Sequence, residues 1–553
     1  MTVEQRGNTS HLLPGYGVSL KKSIALADCS RRCYQSRPYG SSAWKLSRII
    51  VLMACLVSQY PLGIAKAGYR IDGIAAPQVR PNPLADQLQA QLQELQLQLN
   101  ARSRSTSLDE ALEAGLLHNP LLAAAYAEIQ GQQWNLIAVR RQWYPTLSVA
   151  SSSYVPGQNF NITNTISAAN DGRISTSSTS ASNATAVNLG ITIGWTFFNS
   201  SRGASINAAS ESLKRQQLLF DVSARNLVLE IQEAYFSLKE QRQLIESYSE
   251  ILNVIRRQVR ITEAQFNDGL VSIADVEQIR TQQYSTLSTL INAYRQLIDA
   301  SSLLAQTMAL PPGTLALPTK KPITLGHWDQ PLQSTIEQAL RLREEIQASQ
   351  AAAASASWTA TALFNTYWPS FSLGASGGYA NSNTTDQSTG RSLDGSTSTQ
   401  INNHTLKWNG GYGVGFTWQL FDGGINASQA EVQKAAARQA LNQAATTRLS
   451  VTREVENYYA TYLTSLLSLQ SSRAQLQAAQ VAAAAVQERY LVGVSDISSL
   501  VVALNQAIGA ANDYASAERT YNSAVARLYR SSARWPVGTK PLLEQRVNTL
   551  AKH

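Results

Sequence analysis

Strict alternation of apolar and polar residues predicts four β-strands. In VNLGITIGWTF (187–197) every odd position is apolar, and YGVGFTWQL (412–420) repeats the alternation at its even positions. The stretches 371–379 and 146–155 show the same pattern less regularly. A period of two residues indicates a strand with two different faces. Lengths of about 9–11 residues suit a tilted strand that crosses a membrane.

The two faces of these strands differ in chemistry. One face is apolar and ends in aromatic residues, as at a membrane interface, and the other carries Gly, Thr, Asn and Gln, as in a watery lumen. A half-buried sheet in a soluble sandwich would have the same period and stays open as an alternative. We predict that these residues face lipid: Leu189, Ile191, Ile193, Trp195, Phe197, Tyr412, Val414, Phe416 and Trp418.

Four strands cannot close a barrel on their own. Lipid offers no partner for backbone N–H and C=O groups, so a sheet with open edges is not tolerated there. If the strands lie in a bilayer, several chains must therefore pool them. Within each pair, the Ser/Thr/Asn-rich segments 161–186 and 381–404 are predicted to be long polar loops.

A second pattern predicts very long helices. No glycine or proline occurs between Gly203 and Gly269, so this stretch could form one helix about 100 Å long at about 1.5 Å per residue. Its apolar positions are spaced alternately by four and three residues, which is the heptad pattern of packed helices. The seam positions are Leu227, Ile231, Ala234, Leu238, Gln241, Ile245, Tyr248, Leu252, Ile255 and Val259.

Isolated glycines mark where each long helix turns back. QFNDG (265–269) is followed by a return helix over 270–308, and RYLVG (489–493) by one over 494–531. Glycine supplies the positive φ that a tight helix end requires. Shorter helices are predicted over 108–142 and 335–366.

The whole unit is written twice. LDEAL (108–112) matches IEQAL (336–340), and the two glycine tips are separated by a constant offset of 224 residues. A repeat of this length indicates a duplicated domain rather than a solenoid. The predicted division is a leader with a signal peptide (1–67), a linker or tether (68–106), a first repeat (107–310), a linker (311–333), a second repeat (334–535) and a C-terminal tail (536–553).

Charge excludes a nucleic-acid partner. The formal net charge is +9 over 553 residues, but residues 1–67 hold nine Lys/Arg and two Asp/Glu. The remainder holds 37 basic and 35 acidic residues, so its net charge is +2. A near-neutral body without a basic run gives no electrostatic footprint for nucleic acid.

The leader has the features of a secretory signal. Lys45 and Arg48 precede the apolar run 49–57, which is followed by Ala65 and Ala67 at the spacing of a cleavage site. The three cysteines all lie at or before Cys55, so cleavage after Ala67 would leave no disulfide and no thiolate metal site. Whether Cys55 is lipidated stays open.

Catalytic patterns are absent from the sequence. The five histidines show no metal-ligand spacing, and no P-loop or nucleophile elbow occurs. GYGVG (411–415) lies inside a strand, not between a strand and a helix. We therefore expect no enzymatic activity, no cofactor and no metal site.

Taken in order, these motifs resemble the TolC-type outer membrane factor family. The resemblance covers about residues 107–532: the helix starts, the Tyr-Pro and Trp-Pro entries to the strands, FN (198–199) and FDGG (421–424) at the strand-to-helix turns, and the aromatic-x-x-Gly tips. It implies a homotrimer with a twelve-stranded barrel in the outer membrane, continued by an α-helical barrel through the periplasm. It also implies a periplasmic adaptor and an inner-membrane transporter as partners.

The resemblance places adaptor contact and gating at the two tips. The corresponding residues are Phe266, Asn267, Asp268, Gly269, Leu270, Val271, Ser272, Tyr490, Leu491, Val492, Gly493, Val494 and Ser495. Asp275, Glu488 and Asp496, together with Asp268, could line a pore constriction or could be solvated acids and helix caps.

Two functions remain open at the level of sequence. The first is a passive exit duct of a tripartite efflux or type I secretion system. The second is an adhesive coiled-coil protein that uses its strands only as an anchor. Drugs, proteins, metals and polysaccharides are all exported through this fold, and the sequence does not choose among them.

Overall fold

A computed structural model describes most of the chain after the leader. The described residues are 83–151, 157–168, 174–319, 325–392 and 395–552. The interpretation of residues 1–67 as a leader lies outside them, as does the first part of the expected tether.

The element order repeats as the sequence predicts. Helix α1 (Pro83–Arg102) and strand β1 (Ser103–Thr106) come first. The first repeat comprises α2 (Leu108–His118), α3 (Pro120–Arg141), β2 (Thr146–Ala150), β3 (Gly157–Ala168), β4 (Ile174–Phe198), α4 (Ser201–Asn267) and α5 (Ile273–Thr307). After β5 (Leu315–Pro318), the second repeat comprises α6 (Leu332–Leu342), α7 (Glu344–Phe364), β6 (Ser370–Ser392), β7 (Gly395–Thr417), α8 (Ile425–Leu491) and α9 (Ile497–Ser531). Helix α10 (Thr539–Leu550) follows.

The long helices are confirmed, and the two copies have equal lengths. Helices α4 and α8 each contain 67 residues, and α5 and α9 each contain 35. All ten predicted seam positions of α4 are buried, including the polar Gln241. Helix α4 packs along α3, α5, α7 and α9, so the heptad pattern reflects real helix–helix contacts.

The shorter helices are each broken in two, which corrects the prediction of single helices over 108–142 and 335–366. Asn119 caps the second piece, because its side-chain oxygen accepts a hydrogen bond from the backbone N–H of Leu121 at 2.8 Å. Pro120 occupies the first turn, where the missing N–H costs nothing. The second copy breaks at Arg343, whose backbone is extended. The breaks let each piece take its own direction.

The strands form one antiparallel sheet in the order β2–β4–β6–β7, with β3 also paired to β4. They are longer than predicted: β4 has 25 residues, and β6 and β7 have 23 each. The prediction of polar loops over 161–186 and 381–404 is therefore wrong for the described residues there, which continue the strands. Backbone pairing from β4 to β7 holds them, and polar side chains are compatible with strands that face water on both sides.

Both ends of the described chain pack on the first repeat. Leu88, Leu92, Leu95 and Leu99 of α1 rest against the main hydrophobic core. The Gln/Leu stretch therefore forms a packed helix, one of the two readings that the sequence left open. The C-terminal segment contains α10, which the sequence did not predict and which packs against α2 through the buried Leu543.

Charged side chains join the two repeats below the sheet. Along the α4–α9 contact, Glu233 pairs with Arg527 at 2.6 Å, and Glu240 pairs with Arg519 at 2.9 Å. Deeper, the buried Arg343 guanidinium reaches Glu345 and Glu454. A buried pair is costly to break on one side because the remaining charge is left without a partner. These contacts tie the two helical hairpins together.

Asp221 of α4 gives the protein a pH-dependent stability. Burial raises the pKa of Asp221 to about 6, and the nearby Glu344 carboxylate adds to the shift. The folded state thus holds this proton more tightly than the unfolded chain, whose Asp titrates near pH 3.9. The resulting contribution to stability is present at low pH and is lost as the pH rises from about 4 to about 6.

We expect Asp221→Asn to be more stable than the wild type at pH 7, by about 1–2 kcal/mol after solvent screening. The gain should vanish at pH 4, where the wild-type carboxyl is protonated. Thermal unfolding followed by circular dichroism at both pH values measures the difference. Asp299→Asn, on an exposed side chain of α5, is the matched control. A gain that is equal at both pH values would contradict the assignment.

Candidate functional site

All nine side chains predicted to face lipid are exposed, and the four strands place them on one continuous surface. Backbone register sets Trp195 beside Leu373 and Leu373 beside Val414. One step further, Ile193 lies beside Ala375, which pairs with Tyr412. Because paired residues point the same way, the apolar surface runs unbroken from β2 to β7. Exposed apolar patches of this size mark a contact with lipid or with a partner.

Two aromatic rows bound this surface. Near the helices, the rings of Phe197 and Phe416 each lie about 6 Å from the ring of Phe371. At the other end, the Tyr379 and Trp408 rings are 4.9 Å apart. The rows are eight residues apart along β6, or about 26 Å at about 3.3 Å per residue. This matches the roughly 25 Å apolar band of outer-membrane barrels, flanked by aromatic girdles.

Sequence reasoning missed Trp408 as a member of the upper row. It lies four residues before Tyr412 at the correct period, but Gly410 interrupts the apolar run between them. Trp418 was expected within a strand, whereas β7 ends at Thr417. Its indole N–H instead donates to the Tyr367 carbonyl at 2.9 Å. Trp195 makes the equivalent bond to the Trp143 carbonyl at 2.9 Å in the first repeat.

The opposite face of the sheet carries small and polar side chains. Gly190, Thr192 and Gly194 alternate with the apolar residues of β4, and Gly411, Gly413 and Gly415 do so in β7. Such a face is suited to water. Along the sheet, β7 pairs only with β6 in the described part of the chain, so its other edge is open.

The strand-to-helix turns repeat a shared geometry. Asp422 accepts hydrogen bonds from the backbone N–H groups of Gly424 and Asn426 at 2.8 and 2.9 Å. The Tyr367 hydroxyl donates to the same carboxylate at 2.8 Å. In the first repeat, Asn199 accepts from the Ser201 N–H at 3.0 Å. The FN and FDGG motifs therefore fix the angle at which the long helices leave the sheet.

Both helical tips end in a glycine-based Schellman motif. Gly269 and Gly493 have φ values of +73° and +76°. The Gly269 N–H donates to the Phe266 carbonyl at 2.9 Å, and the Leu270 N–H donates to the Gln265 carbonyl at 2.8 Å. The same two bonds recur 224 residues later at 3.0 and 2.9 Å. This pattern satisfies the last carbonyls of the helix and requires a left-handed residue.

The returning helices begin with matched caps. Ser272 and Asp275 form a capping box at the start of α5. At the equivalent position Asp496, not Ser495, caps α9, and it accepts from the Ser499 N–H at 2.7 Å. Hydrogen bonds from Ser499 hold the pKa of the Asp496 carboxyl below its usual value. Two of the tip acids are thus helix caps, while Asp268 and Glu488 are exposed.

Tyr490 joins the two hairpins just above their tips. Its ring is buried against Ile255 and Val259 of α4 and Ile497 of α9. Its hydroxyl lies 3.2 Å from the Thr262 hydroxyl and donates to Gln265 at 3.3 Å. This position suits a latch between hairpins better than a direct partner contact.

Amide side chains extend this link upward between α5 and α9. Gln282 and Asn505 exchange two hydrogen bonds, at 2.8 and 3.2 Å. Nearer the tip, Gln278 bonds Ser498 at 3.1 Å. Below the link, apolar side chains project into solvent at the ends of both hairpins. Leu270, Val492 and Val494 are each more than 60% exposed.

Searches of the described residues for other sites returned little. No group of three His, Cys, Asp or Glu side chains there could hold a metal ion. None of the helices in the described ranges is long and apolar enough to span a bilayer. The chemistry of the molecule therefore lies in its surfaces: an apolar sheet at one end and paired helical tips at the other.

A duplicated unit of membrane-type strands and very long helical hairpins defines an outer membrane channel protein of the efflux type. The family model described as "outer membrane efflux protein" matches residues 111–309 and 335–534. The chain belongs to this family. It is accordingly an outer membrane protein, and its long helices extend into the periplasm.

Individual relatives agree with this assignment. The chain is 25% identical over 386 residues to outer membrane protein TolC of Escherichia coli strain K12, covering 64% of this chain and 76% of TolC. Its fold is similar to the CmeC outer membrane channel of Campylobacter jejuni, with a TM-score of 0.62 and 16% identity over 80% of this chain and 89% of CmeC. It is also similar to VceC of Vibrio cholerae, with a TM-score of 0.58 and 17% identity over 77% and 96% of the two chains.

Proposed function

We propose that three copies of this chain form a passive exit channel through the outer membrane. The observation that carries the proposal is a four-stranded sheet with a 26 Å apolar band (about 3.3 Å per residue) and open edges. Lipid does not satisfy the backbone groups of an open edge. Three sheets joined edge to edge give twelve strands, and their apolar faces form the outer wall.

Exposed apolar residues along α8 support the same assembly. Only nine of its 67 residues are buried within the chain, although α4 buries many more. Exposed apolar side chains recur along its length: Val432, Leu441, Leu449, Leu463, Leu467 and Val481. Burial of these residues against a neighbouring copy would give each helix a full set of contacts and close a helical barrel.

The tips would dock a periplasmic adaptor that is coupled to an inner-membrane transporter. Exposed apolar residues at both tips support this docking, because they offer anchors of the kind that bind a partner. Asp268 and Glu488 are placed to face the pore constriction, whereas Asp275 and Asp496 would act there while capping their helices. The cargo is set by the partners.

A coiled-coil adhesin anchored by the strands is the second candidate. It accounts for the apolar sheet but not for two equivalent tips joined by a latch. Single-channel recording in planar lipid bilayers separates the two functions. Stepwise conductance supports a channel, and vesicle insertion without any conductance supports the adhesin.

We expect Tyr490→Phe to loosen the closed tips. The change removes the hydroxyl that bonds Thr262 and Gln265, at a cost of about 0.5–1.5 kcal/mol per chain for each bond lost. The free energy of opening should fall by a similar amount, so the open fraction should rise several-fold. Bilayer recording of the open probability measures it.

Tyr459→Phe is the matched control, since that half-buried tyrosine lies on the same helix far from the tip. It should leave the open probability unchanged. If Tyr490→Phe and Tyr459→Phe gave the same open probability as the wild type, Tyr490 would not be a latch.

A further inference from the structure

A hollow of about 550 Å³ interrupts the apolar surface of the sheet. Its walls are mainly Val149, Leu189, Ile191, Ile193, Tyr379 and Trp408. Its floor is Gly377, which pairs with Gly410, so two neighbouring positions carry no side chain. An added Cβ at Gly377 would meet only the Asn409 carbonyl oxygen, at 4.0 Å. The hollow is apolar and falls in the volume range of ligand sites.

The hollow lies beside the upper aromatic row, at the end of the band away from the helices. Because the helices extend into the periplasm, this end belongs to the outward-facing leaflet. The strands then continue past the row with the same face turned outward. The first three residue rows beyond it carry no charged side chain: Val187, Asn381, Leu406, Thr185, Asn383, His404, Asn183, Thr385 and Asn402.

Asn381 stands directly beyond Tyr379 on this face. Its Oδ1 atom is buried and accepts no hydrogen bond from the described residues. An unpaired buried acceptor is unfavourable, and a donor from a bound molecule would relieve it after a small rotation of the side chain. Asn383 and His404, paired in register one step further, add polar groups without fixed charge.

We propose that the hollow binds an acyl chain of a glycolipid in the outward-facing leaflet, with its sugar headgroup against Asn381, Asn383 and His404. The hollow supplies burial for the hydrocarbon, at a depth where only lipid is present. The uncharged polar rows favour a sugar, whose hydroxyls donate and accept, over a headgroup recognised through cations. The inference rests on the proposed lipid-facing surface, and not on the tips or on transport.

Native mass spectrometry of the delipidated trimer tests it, with monophosphoryl lipid A and phosphatidylethanolamine as separate probes. We expect wild type to retain up to one lipid A per chain. Gly377→Leu fills the hollow and should reduce retention at least tenfold. Gly374→Leu adds the same side chain to the opposite face of β6, where no atom lies within 4 Å, and should retain lipid A.

Equal retention by the wild type and Gly377→Leu would overturn the site, and preference for phosphatidylethanolamine would overturn the glycolipid. If Gly377→Leu fails to form trimers, Trp408→Ala removes a wall of the hollow and should also lose lipid A; unchanged retention would overturn the site. A wild-type trimer that inserts and conducts without binding lipid A overturns this inference alone. A protein that forms no trimer overturns the proposed channel.

Discussion

Gly493→Pro should abolish transport and leave insertion into the membrane intact. The backbone φ at Gly493 is +76°, whereas proline fixes φ near −65°. Proline also removes the N–H that donates to the Tyr490 carbonyl at 3.0 Å. The tip cannot keep its reversal, at a local cost of about 3 kcal/mol or more. Because each trimer carries three such tips, the loss should be nearly complete in an export assay.

Gly493→Asn is the matched control, since asparagine tolerates the left-handed region better than other non-glycine residues. It should keep most of the activity. A bulky β-branched residue at Gly269, which has a φ of +73°, should resemble the proline variant. Export that survives both Gly493→Pro and Gly269→Val would show that the tips are not where function resides.

Ile193→Arg should prevent assembly of the barrel. Ile193 pairs with Ala375, midway between the two aromatic rows, and it is exposed on the apolar face. An arginine facing lipid at mid-membrane costs about 2–4 kcal/mol, and a trimer would pay this three times. The yield of heat-resistant trimers on gels, and the amount of protein in the outer membrane fraction, measure the effect.

Two controls separate depth from face. Trp195→Arg lies on the same face but in the aromatic row next to the helices, so its cost should be only about 0–1 kcal/mol. Thr192→Arg faces the proposed lumen and should be tolerated. Equal loss of trimers in Thr192→Arg and Ile193→Arg would mean that the two faces are not distinguished by lipid.

The helices could be predicted closely because their signals are local and periodic. Ten seam positions spaced by four and three residues defined the buried stripe of α4. Gly269 and Gly493 gave the turns because a tight helix end selects glycine physically. The equal offset of the repeats then transferred every feature of one half to the other.

The sheet was predicted less well, and for physical reasons. Membrane strands show alternation because one face meets lipid, so the pattern stopped where the strands leave the band. Beyond Tyr379 the chain is Ser/Thr/Asn-rich, a composition shared by loops and by strands in water, and only the pairing of β6 with β7 separates the two. Likewise, Tyr490 as a latch depends on contacts with Thr262 and Gln265 that lie 228 and 225 residues away in sequence.

Light scattering of the detergent-solubilised protein, with the detergent contribution subtracted, tests the central claim most directly. The account predicts a stable mass of three chains, because only pooled strands close the edges of β2 and β7 against lipid. A stable monomer would contradict it: the apolar sheet would then need another cover, and the shared channel would have no wall.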